Sequence, residues 1–335
     1  MVVRIKDIAR DLGVSTMTVS KALRNQFDIG EETRKRVLKR AEELGYQPNL
    51  VARGLVTRRT YMIGMVIPNL MHSFFAEVVQ GAAKRIKAHG YHAVILDTEE
   101  DATSEMGQIE TLLAHSVDGL IIASAQSDGR WLRRILGKTK IPCVLIDRTL
   151  SGLKSHYVGV DDVEIGAMAT WHLIDQGCRR IAHIRGPAIS NAKGREQGYR
   201  RAMAEHDLEV LPGYLVAGQH QDTTGHEAMV QMLNLVPRPD AVFCYNDQVA
   251  SGAITAIVEA GLNVPHDIAV IGVGNVHYSS HLRVPLSTVD QRSSVIGETA
   301  GELLAQSMEV RTTSSPECVL ITPRVIVRKS SLRRG

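Results

Sequence analysis

A repeating alternation of short apolar runs and amphipathic helical stretches occupies most of this 335-residue chain and constrains its fold most strongly. The runs begin with MIGMVIP (62–68) and continue to ECVLITPRVIVRKS (317–330), with helical segments such as FAEVVQGAAKRIKAHG between them. Because strands that alternate with helices form parallel sheets flanked by helices, the pattern predicts an α/β fold. Its length of about 270 residues exceeds one ordinary doubly wound domain, so we expect two lobes that face a ligand cleft.

The first 45 residues have helical periodicity and no strand pattern. Gly13 can end the first helix, and Ser15 can cap the second. Two short helices joined by a tight turn, with a third beside them, form a helix-turn-helix. The inward stripes of the three predicted helices are Ile5, Ile8, Ala9 and Leu12, then Val19, Ala22 and Leu23, then Val37, Ala41 and Leu44.

The segment GVSTMTVSKALRN (13–25) is too short and too polar to fill a core. Residues 1–60 carry 13 Lys and Arg against 7 Asp and Glu, which leaves 26 against 29 for the rest of the chain. A small basic head on a slightly acidic body indicates that the head meets a polyanion. Charge alone leaves open a solvated basic face without a partner. The outward face of the second helix consists of Thr16, Met17, Ser20, Lys21 and Arg24.

The linker YQPNLVARGLVTRRT (46–60) separates these two regions. Pro48 breaks the preceding helix, and residues 49–55 are long enough for about two helical turns. So short a helix is marginal in water, and Gly54 weakens it by about 1 kcal/mol. The sequence therefore predicts a segment that becomes ordered only when something holds it.

The sequence favours a cytoplasmic protein without catalytic chemistry. No apolar run approaches the ~18 residues of a membrane span, and the N-terminus has no secretory signal pattern. The four cysteines form no CxxC pair, which favours buried free thiols. We find no nucleophile elbow, P-loop, zinc-protease motif or dinucleotide fingerprint in the sequence. His277 and His281 have no acidic residue beside them in the sequence, so they do not indicate a metal site. No cofactor and no metal are expected.

Several motifs resemble the lactose-repressor (LacI/GalR) family of bacterial transcription regulators, in the family's order and across most of the chain. They are IKDIARDLGVSTMTVSKALRN, ELGYQPNLVARGL, TYMIGMVIPNLMHSFFAEVVQGA, GREQGYRRAM, AVFCYNDQVASGA, VPHDIAVIGVGN and PLSTVDQ. The resemblance implies a helix-turn-helix head (1–46), a hinge helix and linker (47–60), and a two-lobed, periplasmic-binding-protein-like (type I) body (61–335). It further implies a homodimer on a palindromic double-stranded DNA operator. A small carbohydrate-like effector would control a regulator of this kind, most commonly a repressor, by moving the lobes and with them the hinges.

By this resemblance, Thr16, Met17 and Lys21 read bases in the major groove. Ser20, Asn25 and Thr33 would contact phosphates, which fix register without reading sequence. In the hinge, Leu55 matches a leucine that wedges between base pairs in the minor groove. A solvated helix surface is the alternative for each polar residue of the head. The neighbouring hinge contacts would be Asn49, Ala52 and Arg53.

Polar residues at strand ends supply the candidate effector site, as expected for open α/β sheets. Asp247 could equally cap the following helix, and Arg195 could form a surface or interdomain ion pair. The family commonly has an Asp where this chain has Gly274. Because that acidic residue is missing here, we hypothesise that Arg148 and Arg195 bind an anionic effector, such as a sugar acid or sugar phosphate. The candidate residues are Asn69, Phe74, Phe75, Asp147, Arg148, Arg195, Asn246, Asp247, Asn275 and Gln291.

The main alternative is a solute-binding sugar receptor of the same two-lobed fold. Such a receptor would need a signal peptide and would have no basic head, and neither condition fits the first 60 residues.

Overall fold

The computed structural model describes residues 3–23, 25–46, 54, 59–309 and 315–333. The chain divides into two compact units, Met1–Thr60 (the head) and Tyr61–Gly335 (the body). The predicted α/β fold is confirmed: helices form the described part of the head, and two largely parallel sheets form the body. Within the described residues we find no helix with the length and apolar character that a bilayer crossing requires.

Three helices form the described part of the head: α1 (Ile5–Leu12), α2 (Thr16–Leu23) and α3 (Glu31–Glu43). Gly13 follows α1 with φ +66°, a left-handed conformation that suits glycine. The Ser15 hydroxyl accepts a hydrogen bond from the Thr18 amide at 3.0 Å and so caps α2, as predicted. The small core of the head contains Ile8, Ala9, Val19, Ala22, Val37 and Ala41.

The first lobe of the body contains most elements that precede residue 160, and the second lobe contains most that follow. In chain order the described elements are β1 (Met62–Ile67), α4 (Ser73–Ala88), β2 (His92–Asp97), α5 (Ala102–Ala114), β3 (Gly119–Ile122), α6 (Arg130–Thr139), β4 (Cys143–Ile146), β5 (His156–Gly159), α7 (Asp162–Asp175), β6 (Ile181–Arg185), α8 (Ser190–Glu205), β7 (Leu215–Ala217), α9 (Asp222–Leu233), β8 (Ala241–Cys244), α10 (Asp247–Glu259), β9 (Ala269–Val273), β10 (Ser287–Asp290), α11 (Ser293–Glu309), β11 (Cys318–Leu320) and β12 (Arg324–Ile326).

The described part of the body forms two six-stranded sheets, in the orders β2-β1-β3-β4-β5-β11 and β7-β6-β8-β9-β10-β12. All described pairs are parallel except β10 and β12. The described chain crosses between the lobes three times, after β5, after β10 and after β11, since α7 packs on the second sheet and α11 on the first. The last apolar run of the sequence is therefore split into two strands, one in each lobe.

Glycines allow the main helix pairs of the body to pack closely. A Cβ atom on Gly198 of α8 would overlap the carbonyl oxygen of Val163 in α7, and one on Gly166 would overlap that of Arg195. The α4–α11 pair has the same arrangement at Gly81 and Gly297. Backbone therefore contacts backbone at these crossings, and a side chain there would push the helices apart.

The cysteines follow the expectation with one exception. Cys143, Cys178 and Cys244 are buried free thiols, whereas Cys318 is a free thiol that is exposed. The difference arises because β11, which contains Cys318, lies at the edge of its sheet.

Candidate functional site

Helix α2 presents its polar face away from the core of the head. Val19 and Ala22 are buried against α1 and α3, so that Thr16 and Met17 are exposed on the other side, with 61% of Met17 accessible. The ammonium of Lys21 contacts the carboxylate of Asp28, and this hydrogen bond lowers the pKa of Asp28 below its usual value. The Lys21 ammonium thus lies at the surface beside an acidic partner in the free protein.

Three further residues predicted to contact DNA lie in the described part of the head, and the predicted hinge contacts do not lie in the described part of the chain. Asn25 is exposed with φ +55°, and Ser20 and Thr33 are half-buried. Arg24, Asn49, Ala52, Arg53 and Leu55 lie outside the described residues.

A small cavity in the body is lined by residues of both lobes. It encloses about 20 Å³. The first lobe contributes the start of α4 and the end of β4, and the second contributes α8 and the segments that follow β7, β8 and β10. Its lining residues are His72, Phe74, Phe75, Asp147, Arg148, Asn191, Arg195, His220, Tyr245, Asn246, Val273 and Gln291.

The structure brings seven of the ten predicted effector residues to this cavity. Four of them, Asp147, Arg148, Asn246 and Gln291, come directly after strands or just beyond them, as the strand-end argument predicts, because the carboxyl ends of parallel strands meet at one edge. All seven are buried. They are Phe74, Phe75, Asp147, Arg148, Arg195, Asn246 and Gln291.

The other three predicted residues do not line the cavity, because local hydrogen bonds occupy them. The side-chain oxygen of Asn69 accepts from the Met71 amide at 2.8 Å, in the loop after β1. That of Asn275 accepts from the guanidinium of Arg328 at 2.7 Å. Asp247, the third, does not cap the following helix, and its role at the effector site stays a prediction.

Asp247 is a fully buried structural carboxylate. It accepts hydrogen bonds from the Thr288 hydroxyl at 2.6 Å, the Ser279 hydroxyl at 2.8 Å and the Val276 amide at 3.0 Å. Burial raises the pKa of Asp247, although these hydrogen bonds oppose the shift. The predicted N-cap role is wrong for this residue: Asn246 caps α10 by accepting from the Val249 amide.

Each arginine of the cavity is already paired with a carboxylate. Arg148 donates to both carboxylate oxygens of Glu100, at 2.7 and 2.8 Å. Arg195 donates to Asp162 at 2.9 Å, and burial raises the pKa of that carboxyl to about 7. Glu100 and Asp162 thus supply the main partners of the two arginines, and the carboxylate of Asp147 lies 3.5 Å from Nε of Arg148.

Hydrogen bonds and a contact between an imidazole and a carboxylate join the two lobes at the cavity. The Asn191 amide of α8 donates to Asp147 at 3.0 Å, and the Thr149 amide donates to the Ser190 hydroxyl at the same distance. The imidazole of His220 lies 3.3 Å from Glu100. The lobes are therefore closed against each other at this edge.

Three buried nitrogens of the cavity have no hydrogen-bond partner in the described part of the chain. They are Nε of Arg148, Nδ1 of His72 and Nε2 of Gln291. Burial lowers the pKa of His72 to about 4, so that its ring is neutral at neutral pH. Arg148 and Gln291 can only donate through these atoms, and His72 can donate in one tautomer. Buried donors of this kind are costly unless an acceptor reaches them, so the cavity suits a ligand rich in oxygen atoms.

Sequence reasoning missed five lining residues: His72, Asn191, His220, Tyr245 and Val273. Tyr245 directly precedes a predicted residue, and His72 lies two positions before Phe74. Tyr245 directly follows β8, so the strand-end rule could have found it. His220 follows the three-residue strand β7, which has no clear sequence pattern. In the part of the chain that the structure describes, no group of three or more metal-ligating residues is present.

Two regions of the chain match known protein families. Residues 4–49 match the bacterial regulatory proteins of the lacI family, and residues 170–331 match a periplasmic binding protein-like domain. The chain is 34% identical to the HTH-type transcriptional repressor PurR of Pasteurella multocida (strain Pm70) over 328 residues, which cover 97% of this chain and 98% of that protein. It is 33% identical to Catabolite control protein A of Priestia megaterium, with 99% and 100% covered.

Among solved structures, two regulators superpose on nearly the whole length of this chain. The Lac repressor dimer bound to operator and the anti-inducer ONPF superposes with a TM-score of 0.87 at 26% identity, covering 99% of this chain and all of that one. The complex of the transcriptional regulator CelR with cellobiose gives 0.75 at 27% identity, covering 98% and 99%. These relatives are repressors and regulators rather than enzymes. With a head of the matching family and relatives aligned along nearly its whole length, this chain belongs to the lacI family of bacterial regulatory proteins.

Proposed function

We propose that the chain is a homodimeric operator-binding repressor whose inter-lobe cavity binds a small, hydroxyl-rich, carbohydrate-like effector. The observation that carries this proposal is the set of buried nitrogens on Arg148, His72 and Gln291 for which the described residues supply no hydrogen-bond partner. Hydroxyl oxygens would satisfy them, and the apolar faces of Phe74 and Phe75 would pack against a sugar ring. CelR, which is similar in fold, was solved with cellobiose. We infer that the protein acts in the cytoplasm, where operator DNA lies.

Effector binding requires movement of the lobes. A cavity of about 20 Å³ holds about one water molecule, so a sugar can enter only if the lining side chains separate. The contacts that must open or rearrange are Asn191 with Asp147 and Thr149 with Ser190. A ligand that binds one lobe arrangement better shifts the population toward it. In a dimer this shift changes the spacing of the two hinges and, by linkage, the affinity for the operator.

The charge of the effector is a separate question. The negatively charged effector expected from Arg148 and Arg195 would have to compete with Glu100 and Asp162, which already pair with these arginines. A neutral polyol needs no such competition. Isothermal titration of the protein with neutral sugars and with the corresponding sugar acids tests the proposal, which predicts binding of a neutral sugar; binding of acids alone would contradict it.

Lys21→Ala should weaken operator binding by about 10- to 100-fold, because a lysine contact to a guanine edge contributes about 1–3 kcal/mol of discrimination. Binding to random DNA should fall much less. Fluorescence anisotropy with both duplexes measures the two effects. Lys35→Ala is the matched control: it removes the same charge from α3, where Lys35 pairs with Glu31. If Lys21→Ala weakened both duplexes equally, Lys21 would be a phosphate contact only.

Leu55→Gly should reduce operator affinity by more than tenfold, because it removes the side chain proposed to wedge into the minor groove and further weakens a marginal helix. Gel-shift titration against a palindromic site with a central CpG step measures the loss. Leu38→Ala is a suitable control, since Leu38 is a half-exposed leucine on α3. Unchanged affinity of Leu55→Gly would remove the hinge from the proposal.

A further inference from the structure

Glu100 lies in the loop after β2, outside every set of residues assigned above to the effector, yet its side chain contacts Arg148 and His220, which line the cavity. Its two carboxylate oxygens accept from the two terminal nitrogens of Arg148, whose side chain is only 2% exposed. A bidentate pair of this geometry is among the strongest side-chain contacts in proteins. Glu100 itself is 26% exposed, so the pair joins a partly exposed carboxylate to a buried guanidinium.

The backbone of this loop is held in a conformation that non-glycine residues rarely adopt. Glu99 and Glu100 have φ values of +53° and +59°. The Glu100 amide donates to the carbonyl of Pro68 at 2.9 Å, and the Asp101 amide donates to that of Thr98 at the same distance. The loop is thus fixed in the conformation that directs the Glu100 carboxylate at Arg148.

The titratable and charged groups around Glu100 come from both lobes. Arg148 and His72 face it from the first lobe, and His220 approaches to 3.3 Å from the second. Burial alone would raise the pKa of Glu100, but the hydrogen bonds and charge of Arg148 outweigh burial and lower it. Glu100 is therefore ionised at neutral pH and neutralises the guanidinium.

This arrangement determines what Arg148 can still offer a ligand. The carboxylate of Glu100 accepts one N–H from each terminal nitrogen and so fills the end-on fork of Arg148, and the Ser124 carbonyl accepts a second N–H from one of them at 3.1 Å. Nε is the nitrogen of this guanidinium without a hydrogen-bond partner among the described residues. A hydroxyl oxygen can accept from Nε without adding charge, whereas the end-on fork that suits a carboxylate or phosphate is already filled by Glu100. An anion at this place would also meet the negative charges of Glu100 and Asp147, the latter 3.5 Å from Arg148 Nε.

From these contacts we propose that Glu100 acts as an internal counter-ion that fills the anion-binding fork of Arg148 and thereby restricts the cavity to uncharged effectors. The inference rests on the proposed function of the cavity, but the occupancy of the fork can be tested without any effector. Removing the carboxylate should convert Arg148 into an anion site.

Glu100→Ala tests this inference, with acetate as the probe because acetate replaces the deleted carboxylate. The full chain is titrated with sodium acetate against sodium chloride at constant ionic strength, and both the melting temperature and the heat of binding are recorded. We expect Glu100→Ala to melt below the wild type and to bind acetate at least about tenfold more tightly than the wild type does. Acetate should also restore much of the lost melting temperature.

Glu99→Ala is the matched control, since Glu99 is exposed, carries the same charge and has the same unusual φ. It should respond to acetate as the wild type does. If Glu100→Ala proves unable to fold, Glu100→Gln keeps the volume and removes the charge, and the same gain in acetate affinity is expected. Equal responses of the Glu99 and Glu100 variants would overturn the inference. Failure of every sugar to bind the wild type, with acetate rescue intact, would instead refute the proposed function and leave the paired fork established.

Discussion

Gly198→Ala is expected to lower the free energy of unfolding of the body by about 3 kcal/mol, near the upper end of the usual cost of overpacking. The reason is that the added methyl group would overlap the backbone oxygen of Val163, and backbone cannot turn aside as a side chain can. The helices α7 and α8 must then separate. Since α8 carries Asn191 and Arg195, the same substitution should also weaken effector binding.

Urea denaturation followed by circular dichroism measures the loss, with the transition of the body analysed separately from that of the head because the two units need not unfold together. Gly137→Ala is the control, because Gly137 lies in α6 and a Cβ added there would meet nothing within 4 Å in the described part of the chain. It should leave stability unchanged or raise it by up to about 1 kcal/mol through helix propensity. A Gly198→Ala protein as stable as the wild type would show that the helix crossing is looser than described.

Asp247→Ala is expected to cost about 3 kcal/mol or more, because it leaves the Thr288 hydroxyl, the Ser279 hydroxyl and the Val276 amide without their acceptor in a buried site. Asp247→Asn should cost less, since its carbonyl oxygen can still accept. The same denaturation experiment measures both variants.

Asp175→Ala provides the comparison for Asp247, since Asp175 is an exposed aspartate at the end of α7. Its effect should stay within about 0.5 kcal/mol. A similar small effect for Asp247→Ala would contradict a structural role and reopen its assignment to the effector.

The regular part of the fold could be predicted because its signals are local. Continuous apolar runs mark β1, β3 and β4, which are buried on both faces, and the 3.6-residue period marks the helices of the head. The strands β7 and β10 lack this signal: β7 has three residues, and β10 reads Ser-Thr-Val-Asp although it is fully buried. Its polar groups are satisfied by partners distant in sequence, such as Ser330 for the amide of Ser287.

The candidate site was partly predictable, because the position of a residue at the end of a strand is also a local signal. The strand-end rule locates Asp147, Arg148 and Asn246, but it cannot separate a residue that faces the cleft from one that fixes its own loop. Asn69 is of the second kind, and Asn275 accepts instead from Arg328 in the C-terminal segment. The pairing of Arg148 with Glu100 spans 48 positions and depends on the conformation of one loop, so no spacing in the sequence indicates it.

The central claim is that the chain binds a palindromic operator with an affinity that a small effector changes, and competition binding tests it most directly. The protein is titrated onto a labelled palindromic duplex with random duplex as competitor, at several salt concentrations. Each titration is repeated with and without each of a panel of neutral sugars. We predict clear preference for the palindrome, a steep loss of affinity with salt, and a change in operator affinity with at least one sugar. Equal affinity for palindromic and random DNA, whichever small molecule is present, would contradict it.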